Sequence, residues 1–164
     1  MQIDWKKGEY VPDIAFAGGI TMEDHIFKAL ALGAPYVKAV GMARAPLTAA
    51  MVGKNVGRRI TEGNLPIYYG RYGNTIEATF IEAGKLKKKF GERFKDLPTG
   101  AMALYTYNQR LIQGLKQLMC GARKFALQHI TRDDIVALTP ESAKISGINY
   151  VIDADKEEVE KILG

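Results

Sequence analysis

The chain has 164 residues, of which 47% are hydrophobic and 25% are charged, and its formal net charge is +5. This composition is typical of a globular protein. A membrane protein built on helices is excluded, because no apolar run in the sequence approaches the roughly 20 residues that a membrane-spanning helix needs. The N-terminus lacks the apolar core of a signal peptide, and one cysteine in all cannot form an internal disulfide. We therefore expect a cytoplasmic location and no membrane partner.

The positive charge is concentrated in a few short stretches. Lys85 and Lys87–Lys89 lie at the end of a predicted helix, where cations complement the helix dipole, and further charge comes from Arg58, Arg59, Arg93 and Lys95. A solvated helix end explains this pattern better than a stripe that follows a phosphate backbone. No recognition helix or RNA-binding motif accompanies it, so we expect no nucleic-acid partner.

After a polar and aromatic lead-in over residues 1–10, two apolar runs predict buried parallel strands. The first run covers residues 14–20, the second covers residues 36–44, and both contain glycine near their ends. Between them, Thr21 is a candidate N-cap, and the apolar face of the intervening segment ends at Gly33. Residues 14–41 are therefore predicted to form a βαβ unit whose strands are covered on both faces.

The glycines at the strand ends suggest an anion site. Gly18, Gly19 and Gly41 have no Cβ, so their N–H groups can approach an anion closely, and both strand ends open on the same edge of a βαβ unit. Pro46 favours a helix start shortly after the second strand. Arg44 could add a charge-assisted contact. The pattern predicts a phosphate site, although a glycine pair also ends many ordinary strands.

The rest of the chain is predicted to be mainly helical. The first helix runs over residues 45–60, with Leu47, Met51 and Val52 facing inward and with Gly53 and Gly57 weakening its second half. Further helical patterns cover residues 75–90, 101–120, 122–130 and 155–163. Thr131 and Thr139 are predicted N-caps, the latter followed by Pro140. Residues 63–74 carry three tyrosines that either cover a ligand or pack a connection between helices.

The other chemically capable residues are few. His25 and His129 are expected to be surface or capping residues, and Cys120 is expected to be a buried thiol. Two histidines and one cysteine far apart in the sequence do not have zinc-ligand spacing, so no metal site is predicted. No catalytic residue can be assigned.

Several of these segments together resemble a known family. They are residues 17–20, 28–34, 41–47, 119–125 and 132–138. They resemble the last two β/α units and the helical tail of the FMN-binding domain of the glutamate synthase family. The resemblance implies the C-terminal part of a (β/α)8 barrel followed by a mainly helical tail. It also implies an FMN-dependent oxidoreductase that reduces an imine of 2-oxoglutarate, with the FMN phosphate held by Gly18, Gly19, Gly41, Met42, Ala43 and Arg44.

The departures from the family suggest an incomplete member. Glutamate synthases carry a cysteine cluster for an iron–sulfur centre, whereas Cys120 alone cannot ligate one, so we expect no such cluster here. A complete barrel needs about 250 residues, and only 13 residues precede the first predicted strand. We expect a barrel remnant over residues 1–60 and a helical extension over residues 61–164. A second copy or a partner chain would supply the remaining barrel strands. The alternative is an inactive fragment, or an interaction module that folds by self-association or with a partner.

Overall fold

The computed structural model describes residues 12–164, so the predicted lead-in over residues 1–10 lies outside the described residues. The chain divides into two compact units. The first contains the described residues up to Gly18, then Met22–Gly41 and Leu115–Gly164, and the second contains Gly19–Thr21 and Met42–Gly114. The helices and strands are β1 (Ile14–Ala17), α1 (Glu23–Leu32), β2 (Val37–Gly41), α2 (Arg44–Thr61), α3 (Ile76–Thr79), α4 (Ala83–Phe90), α5 (Thr99–Gly121), α6 (Pro140–Ser146) and α7 (Lys156–Leu163).

In the first unit, β1 and β2 pair in parallel and α1 connects them, as the sequence predicts. Ile14 pairs with Val37 and Ala17 with Gly41, with one irregularity in the register after Ile14. The helix ends before Gly33, where a Cβ would lie 2.1 Å from the Val37 Cγ2 atom. The buried side chains of this unit form a cluster that packs against the two valines of β2 and the end of α5. Its members are Phe27, Leu30, Ala31 and Ile130.

The predicted fold class, the C-terminal part of a (β/α)8 barrel, is wrong. The chain is mostly helical, and its described residues contain one sheet of only two strands. All four residues of β1 are solvent-exposed, whereas barrel strands are covered by side chains on one face and helices on the other. A βαβ pattern is local, so it predicts the strand pair correctly without fixing how many further strands join the sheet.

The C-terminal part of the first unit is less regular than predicted. The helix predicted over residues 122–130 is absent, because Arg123 adopts a left-handed conformation with φ of 55°. The Lys124 amide then bonds the Met119 carbonyl and the Arg123 amide bonds the Cys120 carbonyl, which is a Schellman end to α5. The predicted N-cap Thr139 and the following Pro140 do begin α6, and Gly147 ends it in the left-handed region.

In the second unit, α2 and α5 approach so closely that their contact requires glycine. A Cβ at Gly53 would lie 2.2 Å from the Ala103 Cβ, and one at Gly57 would lie 2.2 Å from the Thr99 Oγ1. The core of this unit is a cluster of buried side chains contributed by α2, α4, α5 and the segments between them. Its members are Val56, Phe80, Ala83, Leu86, Phe94 and Met102.

The helix predicted over residues 45–60 is confirmed, since α2 continues through Gly53 and Gly57 to Thr61 despite the low helix propensity of glycine. The close contact with α5 explains a wrong prediction about which face of α2 points inward. The glycine face is the inward one, so Leu47, Met51 and Val52, predicted to face inward, are 60%, 64% and 43% exposed. Another helix prediction is also wrong. The helix predicted over residues 75–90 is interrupted between α3 and α4, because the backbone of Phe80 is extended.

We expect Gly57→Ala to destabilise the protein by about 1–3 kcal/mol, because overpacking a close contact costs more than the gain in helix propensity. Gly84→Ala is the matched control, since Gly84 lies within α4 and a Cβ there meets nothing within 4 Å. The control should gain about 0.5–1 kcal/mol. Urea denaturation gives both free energies of unfolding. Equal effects of the two substitutions would contradict the close contact.

Candidate functional site

The C-terminal ends of β1 and β2 lie side by side in the first unit. Ala17 is the register partner of Gly41, and Gly18 follows directly after Ala17 with φ of 130°. This backbone conformation is rarely accessible to other residues. A Cβ at Gly18 would meet no atom within 4 Å. The space beside Gly18 is therefore open, and it is the backbone conformation rather than crowding that calls for glycine there.

Gly41 is a glycine for a different reason. A Cβ at this position would lie 3.0 Å from the Ala17 Cβ, so a side chain would crowd the neighbouring strand. Both Gly18 and Gly41 are solvent-exposed. The two strand ends thus present backbone with little side-chain bulk at one edge of the sheet, an arrangement that lets amide groups approach a ligand closely. The contribution of Ala17 was missed from the sequence, although its place opposite Gly41 follows once the two strand ends are aligned.

The start of α1 is already supplied with negative charge. The N-cap is Met22 rather than the predicted Thr21, and its side chain makes no capping hydrogen bond. Glu23 and Asp24 lie in the first turn, as predicted, where their carboxylates complement the positive end of the helix dipole. Within the first unit, the start of α1 is therefore poorly suited to an anion.

The other predicted phosphate ligands belong to the second unit. Gly19 has φ of 65°, and a Cβ there would meet no atom within 4 Å. Met42 and Ala43 precede α2, and Arg44 is its first residue. The first turn of α2 contains no acidic residue and Ala43 provides no side-chain cap, so this helix start keeps its positive character. The roles predicted for Gly19, Met42, Ala43 and Arg44 stay predictions.

The structure offers little other chemistry among the residues singled out from the sequence. His25 lies in α1, with its Nε2 4.0 Å from the Asp24 Oδ2, and His129 lies in a short 3-10 turn. The prediction that Cys120 is buried is wrong, since the residue is exposed. Among residues 12–164, no group of three His, Cys, Asp or Glu side chains is placed to hold a metal ion. None of the helices described there is both long and apolar enough to cross a membrane.

Comparisons of the chain with protein-family models, with curated proteins and with solved structures found no match.

The charge at the start of α1 gives a prediction about pH. The Lys28 Nζ donates a hydrogen bond of 2.8 Å to the Asp24 Oδ2, which lowers the pKa of Asp24 below its usual value. A carboxyl group whose pKa is lower in the folded chain stabilises the fold above the unfolded pKa, and this stabilisation is lost as the pH falls through the folded pKa.

An NMR titration of the side-chain carboxyl carbons should therefore show that Lys28→Met raises the pKa of Asp24. Lys38→Met removes an exposed lysine of β2 instead and should leave this pKa unchanged. An equal effect of the two substitutions would mean that net charge, rather than the hydrogen bond, sets the pKa.

Proposed function

We propose that this chain binds the phosphate group of flavin mononucleotide at the ends of β1 and β2, and that it works in an FMN-dependent oxidoreductase related to glutamate synthase. In the first unit, the backbone around Gly18 and Gly41 would hold the phosphate. Bound flavin would supply hydride and electron transfer, which the side chains of the chain do not provide themselves. A cytoplasmic location belongs to the same proposal.

One observation carries this proposal. The two strand ends stand in register with Ala17 opposite Gly41, and the space beside Gly18 contains no atom that a Cβ would meet within 4 Å. Phosphate oxygens accept hydrogen bonds from backbone N–H groups wherever the backbone can come close. A strand pair with glycine at the end of each strand meets that requirement, and the family resemblance of the same residues indicates FMN as the phosphate-bearing molecule.

The test is a titration of FMN with the protein, followed by quenching of flavin fluorescence. FMN should bind at least about tenfold more tightly than riboflavin, which lacks the phosphate, a difference of about 1.4 kcal/mol. Inorganic phosphate should compete with FMN. Gly41→Val should abolish this preference, because its side chain fills the strand end beside Ala17. Ala39→Val adds the same kind of side chain to β2 two residues earlier and should bind FMN normally. Equal binding of FMN and riboflavin, or equal loss in the two variants, would contradict the proposal.

A second pair of variants tests the part assigned to Gly19. Gly19 and Gly63 have nearly the same φ, 65° and 68°, and a Cβ at either position meets nothing within 4 Å. Replacement by alanine therefore imposes the same backbone cost at both positions. Only Gly19→Ala should weaken FMN binding. If Gly63→Ala weakens it equally, the loss reflects general destabilisation.

A specific observation favours a second candidate, a module that associates with another copy of the chain. Ile14 and Phe16 project from one face of β1 and are 46% and 45% exposed, although parallel strands are normally covered on both faces. Self-association over this face would bury them. Light scattering on a sizing column should then show a dimer that Phe16→Ser dissociates and Ile67→Ser, at a position 89% exposed in the second unit, does not. A monomer at every concentration would contradict this candidate.

A further inference from the structure

The second unit contains an open cavity of about 520 Å³ beside the contact between α2 and α5. We call it the α2–α5 cavity. Its lining comes from these two helices, from Tyr69 and from residues 79–82. Its volume lies within the range of roughly 300–1,000 Å³ that is common for small-molecule sites. The cavity is therefore large enough for a small organic molecule.

Most of the wall is apolar or aromatic. Val52 and Val56 contribute from α2, and Phe80 contributes from the segment between α3 and α4. Tyr107 adds another aromatic side chain from α5, and its hydroxyl group already donates a hydrogen bond to the Thr21 carbonyl. Such a wall favours a ligand with an apolar body.

Two charged residues belong to the lining, and they differ in whether their charge is balanced. Glu82 is buried and paired, because the Lys85 Nζ donates a hydrogen bond of 3.1 Å to its Oε1 and lies 3.0 Å from its Oε2. Arg110 is exposed, and no carboxylate in the described part of the chain lies within ion-pair distance of its guanidinium. The unbalanced charge at the cavity is therefore positive, and it belongs to a side chain that an added anion can reach.

The lining along α5 changes from a small residue to polar ones. It begins at Ala103, beside Gly53 of α2, and ends ten residues later at Gln113. At a rise of 1.5 Å per residue, this stretch of the helix is about 15 Å long. Gln109, Arg110 and Gln113, in its last part, all carry side-chain N–H donors. The cavity thus combines an apolar wall with a group of donors toward one end of its α5 lining.

We propose that the α2–α5 cavity binds an organic carboxylate with an apolar or aromatic body. The carboxylate would accept hydrogen bonds from the Arg110 guanidinium, whose planar set of N–H donors matches two carboxylate oxygens. The body would lie against Val52, Val56 and Phe80. Removing the body from water would supply most of the attraction, because an exposed ion pair contributes little by itself. The charge of Arg110 would select a carboxylate over an ammonium ion, which it would repel.

The experiment compares three probes that share one apolar body in NMR titrations of the full chain: 4-phenylbutyrate, neutral 4-phenylbutanol and cationic 4-phenylbutylammonium. The carboxylate should shift the amide signals of Ala103 and Arg110 saturably and bind at least about tenfold more tightly than either of the other probes. Tighter binding of the ammonium, equal affinities of the three probes, or no saturable shift at millimolar concentrations would each overturn the proposal.

One pair of variants separates the Arg110 charge from the net charge of the chain. Arg110→Gln should weaken 4-phenylbutyrate binding at least about tenfold and remove the preference over 4-phenylbutanol. Arg93→Gln removes an exposed arginine of the same unit that lies outside the lining, and it should leave the affinity unchanged. Equal losses in the two variants, or an unchanged affinity in Arg110→Gln, would overturn the assignment.

A second pair of variants tests the apolar wall. Val52→Glu and Met51→Glu both place a carboxylate on α2 at positions that are 43% and 64% exposed, but only Val52 belongs to the lining. Val52→Glu should abolish saturable binding of 4-phenylbutyrate, whereas Met51→Glu should bind it with nearly the original affinity. An unchanged affinity in Val52→Glu, with a melting temperature that shows it to be folded, would contradict the proposal.

FMN titrations of Arg110→Gln should match those of the original protein, so failure here is distinguishable from failure of the proposed function. Weaker FMN binding in this variant would mean that Arg110 attracts anions in general, and it would overturn the assignment to the cavity.

Discussion

The close contact between α2 and α5 is the constraint on which the second unit depends. Gly53 and Gly57 leave room for the backbone and side chains of α5 around Thr99 and Ala103. The contact determines which face of α2 is buried, and it leaves Leu47 and Met51 exposed to solvent. It also brings Val52 and Val56 into the lining of a cavity that Thr106 of α5 shares. One steric requirement thus sets both the core and the concave surface of this unit.

The first unit is organised differently, around backbone pairing instead of glycine-mediated helix packing. α1 packs against β2 through Phe27 and Leu30, which lie in one cluster with Val37 and Val40. Arg132 adds a link between helix ends, because its guanidinium donates to the Leu32 carbonyl of α1 at 2.8 Å and to the Ser146 carbonyl of α6. Cations are favoured at the C-terminal ends of helices, and one guanidinium here serves two of them. The strand ends are left open beside this framework, which is why they are the candidate binding edge.

Local sequence signals predicted local structure well. The end of α1 at Gly33, the start of α6 at Thr139 and Pro140, and the extent of α5 each depend on residues adjacent in the chain. Predictions failed for features that residues distant in the chain determine. The inward face of α2 is set by Thr99, 42 residues after Gly57, and by Ala103, 50 residues after Gly53. The continuation of α5 beyond Gly121 is prevented by the left-handed conformation of Arg123, which residues other than glycine seldom adopt. The prediction of a barrel was wrong for the same reason, since the sequences of two strands do not indicate how many other strands pair with them.

The candidate site was predictable to the same extent. Gly18 and Gly41 were located at neighbouring strand ends from the βαβ pattern alone, because that pattern fixes which ends meet. By contrast, Glu82 carries no sequence signal of burial. The charged residues nearest to it in the chain, Glu77 and Lys85, lie five and three positions away, and it is the packing of the second unit that leaves Glu82 only 9% exposed. A charged residue that becomes buried through tertiary packing cannot be recognised by its neighbours in the chain.

The exposure of Cys120 has a practical consequence. It is the only cysteine among the 164 residues, and it lies at the end of a long helix with its side chain accessible. A thiol-reactive fluorophore or spin label can therefore be attached at one defined position of the natural sequence without introducing or removing any residue. Because an accessible thiol can oxidise to a disulfide between two chains, association of the protein is best measured in the presence of a reductant and checked on a non-reducing gel.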